Sequence, residues 1–164
     1  MKTLIVIRHT KSDWGIAQSD FERPILSSRH NDPISIAQSI QQAGMLPQLV
    51  IASAATRATQ SAQILCDTWG YPLTSIEYQS ALYMCSTDVF STSVKNLDDK
   101  YSTVAIVAHN PTVTDFVNDY TDTFIIEMPT TGAVCIHFDV PHWHEISKIK
   151  KGTVKLYLQP KELK

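Results

Sequence analysis

An arginine and a histidine stand together where an apolar segment ends, because Leu4-Ile5-Val6-Ile7 runs directly into Arg8-His9. Two more groups of the same kind follow comparable segments: Arg57 after Leu49–Ser53, and His109 after Thr103–Ala108. Buried strands ordinarily close in turn residues, and in open α/β sheets ligands bind just beyond the carboxyl ends of parallel strands. Two arginines and two histidines brought to one such edge repel one another unless a compact anion sits between them. Arginine forks suit phosphate in particular, because their paired N–H groups match its oxygens.

Phosphoryl transfer in such a pocket needs a nucleophile or an activated water. None of Cys66, Cys85 and Cys135 is followed by an arginine at the spacing of a cysteine phosphatase. An aspartate nucleophile would occupy the place that Arg8-His9 takes, and neither a Walker A motif nor G-x-S-x-G is present. A histidine can serve through an unprotonated ring nitrogen when a backbone carbonyl holds its other N–H.

The elements that must position these groups follow from the pattern of the chain. Leu4–Ile7 reads as a central strand covered on both faces. The polar stretch Thr10–Ser28 reads as a long loop, of the kind that usually carries function. Asp32 and Pro33 give a helix start, as N-cap and first helical residue, and Gly44 a stop. The spacing predicts a strand over Leu49–Ser53, a helix from about Ala55 to Trp69 closed by Gly70, and a short strand near Leu73–Tyr78. A helix near Asp88–Leu97, the strand Thr103–Ala108 and a helix opened by Asn110-Pro111 come next. The last third reads as strands, Ala133–Phe138 and Val154–Leu158, with a short one around Trp143–Ile149. Alternating strands and helices predict an α/β three-layer sandwich with a mostly parallel central sheet, helices on both faces and an antiparallel edge.

Bulk properties narrow the field. The 164 residues suit one domain spanning 1–164, and the net charge of −2 offers no basis for binding nucleic acid. No segment of the sequence is an apolar run of membrane-spanning length, and the three scattered cysteines suit reduced thiols, so the expectation is a cytoplasmic monomer that binds no membrane. His137, Asp139, His142 and His144 are near enough in sequence to raise a metal site, but their spacing matches no known ligand pattern, and surface histidines are the simpler reading.

At this point the chain resembles the histidine phosphatase superfamily, in its short phosphohistidine phosphatase (SixA-like) branch. The resemblance rests on R-H-T-K-S-D-W at Arg8–Trp14, S-D-x-x-R-P at Ser19–Pro24, S-x-A-x-R-A-x-Q-S-A at Ser53–Ala62, Leu82-Tyr83 and A-H-N-P at Ala108–Pro111. It implies a phosphoglycerate mutase-like fold, His9 as the phosphate-accepting nucleophile, and Arg8, Arg57 and His109 as holders of the phosphoryl oxygens. It also implies Arg23 as an auxiliary substrate contact, and needs neither metal nor organic cofactor. Thr10 replaces the usual Gly or Ala beside the nucleophile and offers a hydroxyl to phosphate; Arg29-His30 stands where relatives have Arg-Gly. For the general acid the candidates are Asp20, whose loop should overhang the site, Glu77, or none, since a protonated imidazole is a good leaving group. The implied substrate is phosphohistidine on a protein. The rival readings are a phosphatase or mutase of small phosphomonoesters, and a phospho-ligand binding module without turnover.

Overall fold

The computed structural model describes residues 1–15 and 19–161. Its centre is a six-stranded sheet made of β1 (Lys2–Arg8), β2 (Leu49–Ser53), β3 (Glu77–Gln79), β4 (Thr103–Ala108), β5 (Ala133–Phe138) and β6 (Thr153–Leu158), in the order β3-β2-β4-β1-β5-β6. From β3 to β1 every pairing is parallel, and β5 and β6 extend the sheet antiparallel to their neighbours. Four helices cover it: α1 (Asn31–Gln42), α2 (Thr56–Trp69), α3 (Thr87–Lys95) and α4 (Thr112–Tyr120).

Strand alternation sorts the core into two layers. Ile5, Ile7, Val50, Ala52, Ala105 and Val107 face α1 and α2, meeting Ile36, Ile40, Ala62 and Leu65. Their neighbours Leu4, Val6, Ile51, Val104 and Ile106 face α3 and α4, meeting Phe90, Val94, Phe116 and Val117. The inner strands β1, β2, β4 and β5 are therefore buried on both sides, and the predicted three-layer α/β sandwich holds, including its antiparallel edge. Strand β1 joins β4 on one side and β5 on the other, so its carboxyl end lies at the seam where the sheet changes direction.

Several boundaries differ from the sequence expectation, among them the start of α4, which begins at Thr112 with Pro111 as its cap. Asp32 does not cap α1: a 3-10 turn over Ser27–Arg29 leads into His30, which is already helical, so the helix starts at Asn31 and Pro33 falls inside its first turn. The segment expected as a strand from Leu73 opens instead with a 3-10 turn, Leu73–Ser75, and only Glu77–Gln79 pairs with β2. The short strand expected around Trp143–Ile149 is a 3-10 turn, Trp143–Glu145. It is fixed by the buried Trp143, whose backbone N–H donates to Asp99 Oδ1 at 2.8 Å and whose indole donates to the Tyr101 carbonyl at 2.9 Å. Gly70 closes α2 at φ 73°, where a side chain would be strained.

Candidate active site

Three neighbouring parallel strands deliver the basic groups to one edge. The backbone N–H of Arg8 donates to the Gly132 carbonyl at 3.0 Å and that of His9 to the Ala108 carbonyl at 3.1 Å, so both flanking strands grip the Arg8-His9 junction. Arg57 sits in the first turn of α2 and His109 immediately follows β4. Arg8, His9, Arg23, Arg57 and His109 line one cavity of about 490 Å³. A roomier cavity of about 680 Å³ lies between α1 and α2, away from the strand ends and without an arginine in its wall.

His9 is almost fully buried and held in one orientation. Its Nδ1 is 2.8 Å from the Thr10 carbonyl, an acceptor only, so that nitrogen carries the proton. The lone pair is thereby on Nε2, and Arg57 Nε donates toward it from 3.4 Å. Burial, with help from His109, Arg57 and Arg8, pushes the imidazole down to about 3 against the carbonyl's opposing pull. The ring is neutral at physiological pH, and its Nε2 lone pair is unprotonated and directed: the state a nucleophile needs.

His109 lies 5.1 Å from His9, ring centre to ring centre. Burial first, and Arg57 next, push it down to about 4. Its Nε2 is 2.8 Å from Ser53 Oγ, which itself accepts from the Ala55 backbone N–H at 3.3 Å. Ser53 Oγ and His109 Nε2 thus share one hydrogen bond, which leaves the ring's Nδ1 as its other polar nitrogen. That nitrogen is buried and has no partner. Arg8 donates from Nη1 to the Met128 carbonyl at 2.9 Å, and its buried Nε likewise has no partner. Unpaired buried donors beside an imidazole lone pair are costly unless an acceptor meets them; a phosphoryl group brings several.

The long loop crosses this edge. It is doubled back by bonds from Asp13 N to the Pro24 carbonyl and from Leu26 N to the Lys11 carbonyl, and Thr56 N anchors it through the Phe21 carbonyl. Asp20 consequently reaches both loop and helix arginines. Its Oδ1 accepts from Arg23 Nη2 at 2.7 Å, and its Oδ2 from Arg57 Nη2 at 3.1 Å and from the Tyr83 hydroxyl at 2.6 Å. Arg57 Nη1 also donates to the Asp20 carbonyl. The Arg23 contact above all, then Tyr83, hold the Asp20 carboxyl well below the usual carboxylate range. As found here Asp20 is a carboxylate without a proton to give. Glu77, the other acid considered, is exposed on β3 and lines none of the cavities at the strand ends.

Two candidates do not line the cavity at His9: Asp20, which lines only the neighbouring one, and Thr10. Thr10 is fully buried, its hydroxyl accepts from Thr131 Oγ1 at 3.0 Å, and its backbone N–H donates to Ser61 Oγ at 2.8 Å. One residue beyond His9, it faces the other way, and its carbonyl rather than its hydroxyl serves the site. Sequence reasoning missed Ser53, Ser61 and the Met128 carbonyl as supports. Ser61 was accessible in principle, since it lies four residues beyond Arg57 on the same helix face and donates to the Arg57 carbonyl at 2.6 Å. The Met128 carbonyl has no side-chain signature at all.

No family model matches the chain. An uncharacterized chloroplastic protein of Arabidopsis thaliana is 27% identical over 106 residues, covering 62% of this chain and 49% of that protein, so the chain spans about half the length of the curated relative it matches. Solved structures agree far more broadly. A protein of Agrobacterium tumefaciens provisionally named phosphohistidine phosphatase SixA superposes with a TM-score of 0.81 at 18% identity, over 97% of this chain and 98% of that one. A protein histidine phosphatase SixA complexed with tungstate gives 0.80 at 19% identity, over 96% and 97%. A mycobacterial glucosyl-3-phosphoglycerate phosphatase complexed with VO3 gives 0.68 at 12%, over 95% and 98%. The chain has the phosphoglycerate mutase-like α/β fold of these proteins.

Proposed function

We propose that this chain is a metal-independent phosphatase of the histidine phosphatase superfamily, SixA-like branch, that works through a phosphohistidine on His9 and removes phosphate from phosphohistidine on a protein. The observation that carries this reading is the orientation of His9, with Nδ1–H on the Thr10 carbonyl and Nε2 free beside Arg57. In the first step His9 Nε2 bonds to phosphorus while the bond from phosphorus to the substrate's imidazole breaks. That imidazole departs neutral when its other nitrogen is already protonated, so this step needs no enzyme acid. In the second step water attacks the phosphorylated His9, releasing inorganic phosphate and restoring the neutral ring. Arg8, Arg57 and His109 bind the phosphoryl oxygens and stabilise the charge that develops on them. Asp20, held as a carboxylate, positions Arg23 and Arg57.

A protein substrate is favoured by the surroundings of the cavity. A second cavity of about 450 Å³ adjoins the first through Arg57, His109 and Asn110, with Tyr83 and the exposed Met84 in its wall. A third, bounded by Arg8, Asn110 and the exposed Ile126, adjoins it on the other side. An exposed Trp14 lines the first. Such an open, partly apolar rim suits a side chain presented from a larger surface. Residues 1–164 then act as one phosphatase domain, monomeric and cytoplasmic. Among the described residues no helix is long and apolar enough to cross a membrane, and Cys66 and Cys135 are buried thiols pushed up to about 12 by that burial.

The test is hydrolysis of an aryl phosphate and of a phosphohistidine protein in excess chelator, wild type against His9→Ala. Turnover that survives chelator and disappears in the variant is the expected result, with the phosphohistidine protein the better substrate. Preference for a small phosphomonoester would reassign the substrate, and turnover in His9→Ala would overturn the mechanism.

A further inference from the structure

The cavity at His9 is several times larger than a phosphoryl group, and its far wall is also cationic. Besides Arg8 and Arg57 it is lined by Lys11, Arg23 and Arg29, while no aspartate or glutamate among the described residues lines it. The loop builds this wall deliberately close: Leu26 donates its N–H to the Lys11 carbonyl at 2.7 Å and accepts the Arg29 N–H on its own carbonyl at 2.9 Å. Lys11 and Arg29 are thereby fixed on either side of one residue. Among the described residues no carboxylate pairs with Lys11. Arg29 Nη1 forms an ion pair with Asp32 Oδ2 at 3.6 Å, longer than a hydrogen bond.

Arg23 supplies an independent observation. Its side chain is 7% exposed, yet among the described residues only Nη2 is engaged, on Asp20, while the buried Nε and Nη1 meet no partner. The exposed Trp14 ring covers the guanidinium carbon at 3.5 Å. A desolvated guanidinium with two idle donors is expensive to maintain, and it faces a cavity whose other wall already suits one anion.

We propose that Lys11, Arg23 and Arg29 form a second anion subsite, which binds a carboxylate or phosphate carried by the same substrate molecule as the phosphoryl group. Resting on the function proposed above, the second anion is an acidic side chain close to the phosphohistidine in the target protein. Charge-assisted, bidentate arginine contacts with such a group give register as well as affinity. A small molecule bearing two phosphates presents the same chemistry and is the alternative source.

The experiment is equilibrium binding, which needs no turnover. The probes are peptides carrying a stable phosphonate analogue of phosphohistidine, flanked by glutamates or by glutamines, together with a small bisphosphate and its monophosphate. Wild type should bind the acidic peptide at least about tenfold more tightly than the neutral one. In the Lys11→Gln/Arg29→Gln variant that advantage should fall to about twofold or less, and either single variant should lie between. A bisphosphate preference that the same variant removes supports the subsite with the small molecule as its source. Equal affinity within both pairs of probes, or a preference that survives the double variant, overturns it. The phosphatase reading stands or falls separately, on whether aryl phosphate turnover depends on His9.

Discussion

Arg57 Nε lies 3.4 Å from His9 Nε2, so the fork proposed to bind the phosphoryl group also marks the nitrogen proposed to attack it. The other two nitrogens of that fork are held by Asp20, one on its carbonyl and one on its carboxylate. A lysine cannot reproduce three directed donors from one rigid plane. Arg57→Lys is therefore expected to lose nearly as much kcat/KM as Arg57→Ala, and Arg8→Ala and His109→Ala to fall in the same range, roughly 2–4 kcal/mol of transition-state stabilisation. Steady-state kinetics on an aryl phosphate measures this, and an unchanged rate in any variant removes that residue from the mechanism.

His9→Ala should abolish turnover while keeping the fold, since the ring is held by one local bond and the strand beneath it by backbone bonds on both sides. Rapid quenching of wild type with labelled substrate should trap phosphate on His9, stable in alkali and lost in acid. Label found on any other residue would contradict the assignment.

Asp20→Asn should bind oxyanions more tightly and turn over more slowly. Removing the carboxylate frees Arg23 and Arg57 for the ligand but loses their alignment. A fall of about threefold or more in the inhibition constant for tungstate, with a lower kcat, is the expected pair of changes. Tyr83→Phe, which loses one of the bonds to Asp20, should shift both in the same sense by less. A higher kcat in Asp20→Asn would show that the aspartate is not needed once the arginines are free.

Acid should weaken the fold in a window set by the two histidines. Both are depressed in the folded chain, His9 to about 3 and His109 to about 4, from an ordinary value of 6.5. Below 6.5 the unfolded chain binds protons that the folded one refuses, so stability is full above that pH and is lost as pH falls toward those lower values. Denaturant midpoints measured across the window should decline in wild type and decline less steeply in His9→Asn. A profile that stays flat down to the carboxylate range would mean these rings titrate normally.

Ser61→Ala tests the support beneath the nucleophile. Its hydroxyl links the Thr10 N–H to the Arg57 carbonyl, and deleting it leaves a buried amide without a partner, at a cost of about 1–3 kcal/mol. Chemical denaturation reads the loss. If the amide instead finds another acceptor, the midpoint will scarcely move.

What could be read beforehand divides along physical lines. Strands β2, β4 and β5 match their sequence expectation residue for residue, because a strand buried on both faces must be an unbroken apolar run with polar borders. The gathering of Arg8, His9, Arg57 and His109 was legible for the same reason: large polar groups at the ends of such runs have one sheet edge to share. The placement of Asp20 against Arg57, 37 residues away, and of Arg8 against the Met128 carbonyl, 120 away, depends on loop paths that no local pattern encodes. Thr10 was misjudged in direction, because a hydroxyl one position past a strand end says nothing about which way it turns. The caps expected at Asp32 and Asn110 were displaced by other bonds, with Asn110 instead accepting from Thr114 Oγ1 and donating to the Met128 carbonyl.

The doubled loop that carries Lys11, Arg23 and Arg29 touches the sheet edge through a handful of bonds, whereas Arg8 and His9 are locked into the strands themselves. The proposed nucleophile and the proposed anion subsite are thus mounted on separate parts of the chain. Exchanging the loop's charged residues is a route to altering the proposed subsite, with strand-borne His9 left in place.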